Sequence, residues 1–188
     1  MNSILEFLQQ RNSAARLAAP APDDTELAEI LRAALRAPDH AWLRPWRFIR
    51  LRGEAREAFG EVLEQSLLQR EPGADQAARA KARRAPLRAP LLLVVVASLK
   101  THPKVPAVEQ RLSAGCAAHG VLLAAEAQGY AGIWRTGAPA FDPVVHRALG
   151  LAADEEIVAF LYLGTREGDA KPLPDLAVAD FLSDWPAP

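Results

Sequence analysis

The stretch Ser113–Gly137, SAGCAAHGVLLAAEAQGYAGIWRTG, decides how the rest of the chain is read. From Ser113 to Gln128 nearly every residue is small or apolar, with polar interruptions only at Ser113, His119, Glu126 and Gln128. A helix that is apolar around its whole circumference is a buried one. It is too short and too interrupted to span a bilayer, which takes roughly 18 or more consecutive apolar residues. Gly129 suits the left-handed position just past a helix end. Ile133-Trp134-Arg135-Thr136-Gly137 then reads as a strand end carrying a cation, a hydroxyl and glycines. A buried helix feeding such a strand end describes the floor of a binding site.

Outward from that stretch, the pattern predicts alternating helices and strands. Upstream, Pro90–Ala97 (PLLLVVVA) is a short apolar run of branched residues, the mark of a central strand buried on both faces. A loop through His102, Lys104 and Pro106 separates it from the helix, which is expected to begin near Ala107. Trp46–Leu51 is a further strand. Leu27, Ile30, Leu31, Ala34 and Leu35 repeat at the spacing of one helical face, after a cap at Asp23 or Asp24 and before Pro38. Glu54 to about Gln69 is an amphipathic helix, and Asp75–Arg84 an exposed basic one. Ser3 and Glu6 form a capping-box pattern for a first helix with Ile4, Phe7 and Leu8 inside. Downstream, Asp142–Leu149 is a short helix and Glu156–Gly164 (EIVAFLYLG) another buried strand. The tail from Thr165 carries Pro172, Pro174, Pro186 and Pro188 among Leu176, Phe181 and Trp185, without periodicity. It is expected to lie extended on a surface, such as that of a partner subunit.

The 188 residues suit one domain with a real core. A net charge of −1 gives no reason to expect nucleic acid or an anionic membrane as partner. The one cysteine, Cys116, excludes an internal disulfide and fits a reducing compartment. On the apolar helix it reads as a small core residue. The start, MNSILEFLQQR, has no basic segment followed by a long apolar one, so the expected location is the cytoplasm.

Several sites are absent by motif. No glycine-rich dinucleotide fingerprint, P-loop or G-x-S-x-G elbow occurs. His40, His102, His119 and His146 are scattered, so no metal is expected. What remains are arginines beside small polar residues at element ends: Arg11 with Ser13, Arg36 with His40, and Arg135 with Thr136. Guanidinium forks and hydroxyls suit a phosphate and the polar edge of a ring. The residues alone reach an α+β fold with a candidate anion site.

Blocks along the chain carry further. Arg11-Asn12-Ser13 after a first helix resembles the R-x-S phosphate signature of the FMN-dependent nitroreductase family. Arg36-Ala37-Pro38 followed by Pro45-Trp46 and Phe48 resembles that family's R-x-P…P-W-x-F block. The compact bacterial branch shares R-A-P-D-H, K-V-P, E-Q-x-x-S-A-G-C-A, A-Q-G, G-I-W-R and F-L-Y-L-G-T, all present here in order. The resemblance implies a central mixed sheet with helices on both faces, in an intertwined homodimer with FMN at the interface. It implies that Arg11, Asn12 and Ser13 hold the phosphate and ribityl chain, joined by Trp134, Arg135 and Thr136, while Arg36 and His40 reach the flavin from the partner subunit. NADH or NADPH would reduce the flavin, which would then reduce a small-molecule acceptor in the vacated place.

Two departures qualify what is implied. Larger relatives carry a lysine where Ala15 stands, so the reduction potential is expected to be lower unless Arg16 or another arginine substitutes. Trp42-Leu43-Arg44 replaces an Asn-x-Gln that would offer substrate-side hydrogen bonds. The chain has no room for the helical excursion that covers the site in larger members, which predicts an open pocket. Lys104 and Pro106 border it or belong to a solvated loop. The rival expectation is a dimer that binds FMN to store or sense it, without turnover.

Overall fold

The structure, a computed structural model, describes residues 3–185. Met1, Asn2, Pro186 and Pro188, which figured in the reading of the two termini, lie outside the described residues. Five strands form one sheet in the order β1-β5-β3-β2, with β4 also paired to β5. They are β1 (Leu17–Ala18), β2 (Trp46–Arg52), β3 (Leu91–Ser98), β4 (Ala131–Arg135) and β5 (Glu155–Arg166). The resemblance implied a mixed sheet; every ladder among the described residues is antiparallel.

β3 occupies the centre, and all its residues but Ser98 are buried. Successive side chains leave a strand on opposite faces. Leu91, Leu93 and Val95, with Ala159, Leu161 and Leu163 of β5, therefore meet helices α2 (Asp24–Ala34) and α5 (Ala107–Ala127). Leu92, Val94 and Val96, with Phe160 and Tyr162, meet α3 (Glu54–Arg70) and α6 (Pro143–Ala148). Each fully buried leucine or valine contributes about 1.5–3 kcal/mol. The short α1 (Ser3–Gln9) and the basic α4 (Gln76–Arg84) complete the helices. α4 buries nothing and packs on α3 through Arg79–Glu64 at 2.8 Å and Arg83–Glu61 at 2.7 Å.

The termini of the deciding helix are built as its sequence requires. Gly129 has φ +85, its N–H donates to Glu126 O at 2.9 Å, and Tyr130 N–H donates to Ala125 O at 2.9 Å. These two bonds form a Schellman motif, and the left-handed residue costs glycine little. Gly120, one turn past Cys116, leaves room for α2: a Cβ there would sit 3.1 Å from Ala34 Cα.

Three burial expectations are corrected. Cys116 is exposed rather than a core residue, as is His119 beside it. α5 buries Ala114, Ala117, Ala118, Val121 and Ala125 against the sheet, while Val108, Leu112, Cys116 and His119 on its other face are exposed among the described residues. Apolar sequence all round a helix predicts that both faces avoid water, and among the described residues only one of them is covered. Ile4 and Leu8 are likewise exposed, since α1 has no buried residue, and Leu35 lies past the end of α2, turned outward. The tail beyond Arg166 is exposed throughout its described length, including Phe181 and Trp185.

Candidate functional site

The segment after α1 is fixed by main-chain bonds to three elements. Asn12 N donates to Glu126 Oε1 of α5 at 3.1 Å, and Ala14 N donates to Gly132 O of β4 at 3.0 Å. Arg166 Nη2, at the end of β5, donates to Asn12 O at 2.8 Å. The Asn12 side chain binds the tail, donating from Nδ2 to Lys171 O at 2.6 Å. Arg11 Nη1 reaches Ser13 Oγ at 3.4 Å. Arg11, Asn12 and Ser13 thus lie at the sheet edge that β4 forms, two residues along from Trp134.

Around Ser13 is a recess of about 250 Å³ lined by Arg16, Arg166 and Lys171, with Glu167 and Asp169 at its rim. Counting Arg11, four cations and two carboxylates surround a hydroxyl, a donor set that fits a phosphate. Arg166 and Lys171 were missed from the sequence. The signal available was a basic residue directly after the Gly164-Thr165 strand end.

Trp134, Arg135 and Thr136 do not share one direction. Trp134 turns to the α5 side, where its ring lies near Gly115 and lines a groove of about 570 Å³ with Arg36, Leu112, Cys116 and His119. Arg135 turns to the α3 side, where it lines a separate recess of about 340 Å³ with Arg88, Phe160 and Tyr162. Thr136 borders that recess just beyond the end of β4. Arg135 Nε is buried and has no hydrogen-bond partner among the described residues.

Arg36 stands with Trp134 in the α5 groove of its own chain. His40 is apart, with Nδ1 2.8 Å from Glu109 Oε2 at the first turn of α5. Beyond His40 the backbone is strained: Ala41, Trp42 and Arg44 have φ of 61, 54 and 48, and Arg44 N donates to Asp39 Oδ2 at 2.6 Å. Such a cluster of left-handed residues without glycine costs free energy and is typical of site loops. Trp42 is 79% exposed. Ala15 and Arg16, directly after the Arg11–Ser13 segment, are both exposed, and Lys104 is exposed in its loop, the solvated alternative.

The strand clamp at the other end of the sheet is structural. Arg47 donates to both oxygens of Glu155 at 2.6 Å, and Ser98 Oγ and Ala152 N add bonds at 3.1 Å. The bidentate Arg47 bond, helped by the other donors against the cost of burial, holds the Glu155 carboxyl down at about 2. Among the described residues no cluster of three or more His, Cys, Asp or Glu side chains is disposed to hold a metal.

A sheet with helices on both faces, whose strand β4 is joined through Ala14 N and Gly132 O to the segment after Arg11-Asn12-Ser13, defines a nitroreductase-like fold. Solved structures agree. A nitroreductase-like protein from Bacillus cereus superposes with TM-score 0.84 at 20% identity over 100% of this chain and 98% of that one. The FMN complex of a nitroreductase homologue from Desulfovibrio desulfuricans gives TM-score 0.76 at 22% identity, over 100% and 99%. Those likenesses carry the fold alone. The Nitroreductase family model matches residues 8–165, and the chain belongs to that family. It is 52% identical over 161 residues to the Escherichia coli K12 protein named "Putative NAD(P)H nitroreductase YdjA", a match spanning 86% of this chain and 87% of that protein.

Proposed function

We propose that the chain is an FMN-dependent oxidoreductase that draws hydride from NADH or NADPH and passes it, in ping-pong fashion, to nitroaromatic, quinone or similar small-molecule acceptors. The observation that carries the reading is the 3.0 Å bond from Ala14 N to Gly132 O, which joins the cation- and hydroxyl-bearing segment Arg11–Ser13 to the strand of Trp134 and Arg135 in a chain of the nitroreductase family. The name of the Escherichia coli relative supports the nicotinamide, and the FMN in the Desulfovibrio complex supports the flavin.

Arg11 and Ser13, with Arg16 and Arg166 beside them, bind the phosphate. Asn12 holds its own segment still through three bonds, which fixes where that phosphate sits. Trp134, Arg135 and Thr136 edge the ring, and Arg36 and His40 reach it from the partner subunit. When bound, FMN supplies a two-electron carrier that accepts hydride from a nicotinamide and yields it to a second substrate. The protein's part is binding, orientation and charge.

The exposed apolar face of α5 supports a homodimer. Leu112 is 64% exposed and Val108 57%, beside Gly115 and Cys116, and small residues let a second copy of the helix approach closely. Of the tail expected over 165–188, Thr165 and Arg166 belong to β5, and the described remainder, with exposed Leu176, Phe181 and Trp185, packs on the partner in this reading. Among the described residues no helix is long and apolar enough to cross a membrane, and the cytoplasm is the proposed location.

The test is uptake of FMN by the purified protein. A yellow preparation with flavin absorbance is expected, and a colourless one that takes up no added FMN sinks the proposal. Arg11→Ala with Ser13→Ala should weaken FMN binding by about 100-fold, two charge-assisted contacts at 1.5 kcal/mol or more each, while leaving the thermal transition in place. The second reading, an FMN-binding dimer without turnover, is motivated by Ala15 and by the exposed Trp42. Anaerobic mixing with NADH and with NADPH separates the two, because bleaching of the flavin band at catalytic speed excludes a pure binder.

A further inference from the structure

Of the recess on the α3 side of the sheet, the cofactor reading uses only Arg135 and Thr136. Its floor is apolar: Phe59, Leu63 and Phe160 line it, with the two phenyl rings 6.0 Å apart and tilted. Over that floor stand two arginines, Arg88 and Arg135, and the hydroxyl-bearing ring of Tyr162. Among the described residues no carboxylate lines the recess.

Several arginines elsewhere on this face are partnered. Arg56 donates to Ala89 O at 2.6 Å, Arg70 lies 3.2 Å from Asp142, and Arg79 and Arg83 pair with Glu64 and Glu61. Arg88 and Arg135 have neither an acid nor a carbonyl among the described residues, and Arg135 Nε is buried without an acceptor. A buried donor left unmade costs about 1–3 kcal/mol, more when the group is charged. Tyr162 is 5% exposed, and its hydroxyl has no partner among the described residues. Burial pushes its phenol up from the ordinary range against the opposing charges of Arg88 and Arg135, so at neutral pH it remains a neutral donor. Arg88, Arg135 and the Tyr162 hydroxyl therefore line an apolar cleft that holds no carboxylate among the described residues. At about 340 Å³ the cleft is at the small end of ligand pockets, the size for a single substituted ring.

We propose that this recess is a binding subsite for a small aromatic carboxylate, its anion held by Arg88 and Arg135 and its ring laid on Phe59, Leu63 and Phe160. The guanidinium forks take the two carboxylate oxygens, and Tyr162 adds a donor from the strand beneath. Because Arg135 and Thr136 belong both to this recess and to the flavin ledge, the inference names the class of acceptor for the proposed oxidoreductase. It rests on that reading for turnover and stands apart from it for binding.

The experiment is a calorimetric titration of the purified protein, with whatever flavin it carries, using 4-nitrobenzoate and its neutral isostere 4-nitrobenzamide. The carboxylate should bind at least about tenfold more tightly, the worth of one charge-assisted bond. Arg88 is exposed and makes no contact that folding needs, so Arg88→Gln should fold normally and bring the two affinities within about twofold of each other. Tyr162→Phe should cost the carboxylate a few-fold. Equal binding by the wild type overturns the proposal, as does an unchanged preference in Arg88→Gln. FMN affinity of Arg88→Gln is measured in parallel and should not change. If it falls while the carboxylate preference persists, the recess serves the cofactor and the subsite is refuted. A wild type that takes up no FMN defeats the oxidoreductase reading alone, since the titration still reports on the recess.

Discussion

The two helical layers of this molecule end in different ways. On the α3 side the outermost helix, α4, presents ion pairs to water: Arg79 and Arg83 meet Glu64 and Glu61 across the α3–α4 contact. That layer is finished, with charge outward and Phe59 and Leu63 inward. On the α5 side the outermost surface is a groove of about 570 Å³ between α2 and α5, bounded by Leu112, Cys116, Leu123 and Trp134. Scattered apolar residues on a surface mean little, but a contiguous groove of them marks an interaction face. One layer is a boundary with solvent, and the other carries the face proposed to meet a second copy. The sheet between them carries Trp134 toward the unfinished side and Arg135 toward the finished one, so one strand end serves both.

The largest expected effect comes from a charge set into the unfinished layer. Leu112→Glu puts a carboxylate on each copy where an apolar contact is proposed, and burying it there costs several kcal/mol. Dimer affinity should fall by at least about 100-fold. Light scattering should then show mass dropping from twice 20.3 kDa to 20.3 kDa at micromolar protein. Glu61→Lys on the other layer reverses an exposed pair and should leave the mass unchanged. If Leu112→Glu remains dimeric, α5 is not the interface and the contrast between the layers loses its meaning.

The next effect tests what the layers have in common. Glu155 links β5 to Arg47 of β2 and Ser98 of β3, so the clamp crosses the sheet that both layers share. Its carboxyl is held at about 2 in the folded chain against a free value near 4.5. A depressed carboxylate contributes stability in full above its unfolded value and loses it as pH falls through the folded one. Up to about 3 kcal/mol, at 1.36 kcal/mol per unit, should therefore disappear between pH 4.5 and pH 2. Urea midpoints at pH 7, 4 and 3 check this, and Glu155→Gln should flatten the acid dependence. Helical circular dichroism and tryptophan fluorescence should report one transition, because both layers hang on the same strands.

The contrast also explains what could be read in advance. β3, α2, α3 and α5 were legible because burial imposes a period on their sequence, and the Asp23 cap and Gly129 end follow local rules. β1 was not, since two residues carry no period. Cys116 and Ile4 were misread because apolar sequence reports avoidance of water without saying which molecule supplies the cover. At the site, Arg11, Asn12 and Ser13 and the strand end at Trp134 emerged from motif blocks. Arg88, Arg166 and Tyr162 did not: sheet pairing sets Tyr162 opposite Ile133 and Arg166 opposite Leu17, and Arg88 sits in the turn Ala85–Arg88 before β3. The divergence of Trp134 and Arg135 was implicit in strand alternation.

The smallest effect separates the stability of the unfinished layer from its use. α2 begins with a full capping box: Asp23 Oδ1 accepts from Glu26 N at 2.8 Å, and Glu26 Oε2 accepts from Asp23 N at 2.8 Å. Glu26 also accepts from Tyr130 Oη at 2.7 Å, which pins the start of α2 to the segment leading into β4. Asp23→Ala removes the side-chain half of the box and should cost about 1 kcal/mol. The groove is formed at the other end of α2, by Ala33, Ala34 and Arg36, more than two turns away. The variant should therefore unfold at lower urea while its dimer mass stays that of the wild type. A loss of dimer in Asp23→Ala would mean that the layer is held in shape by its partner as much as by the sheet beneath it, and the half-finished face would have to be counted as part of the fold.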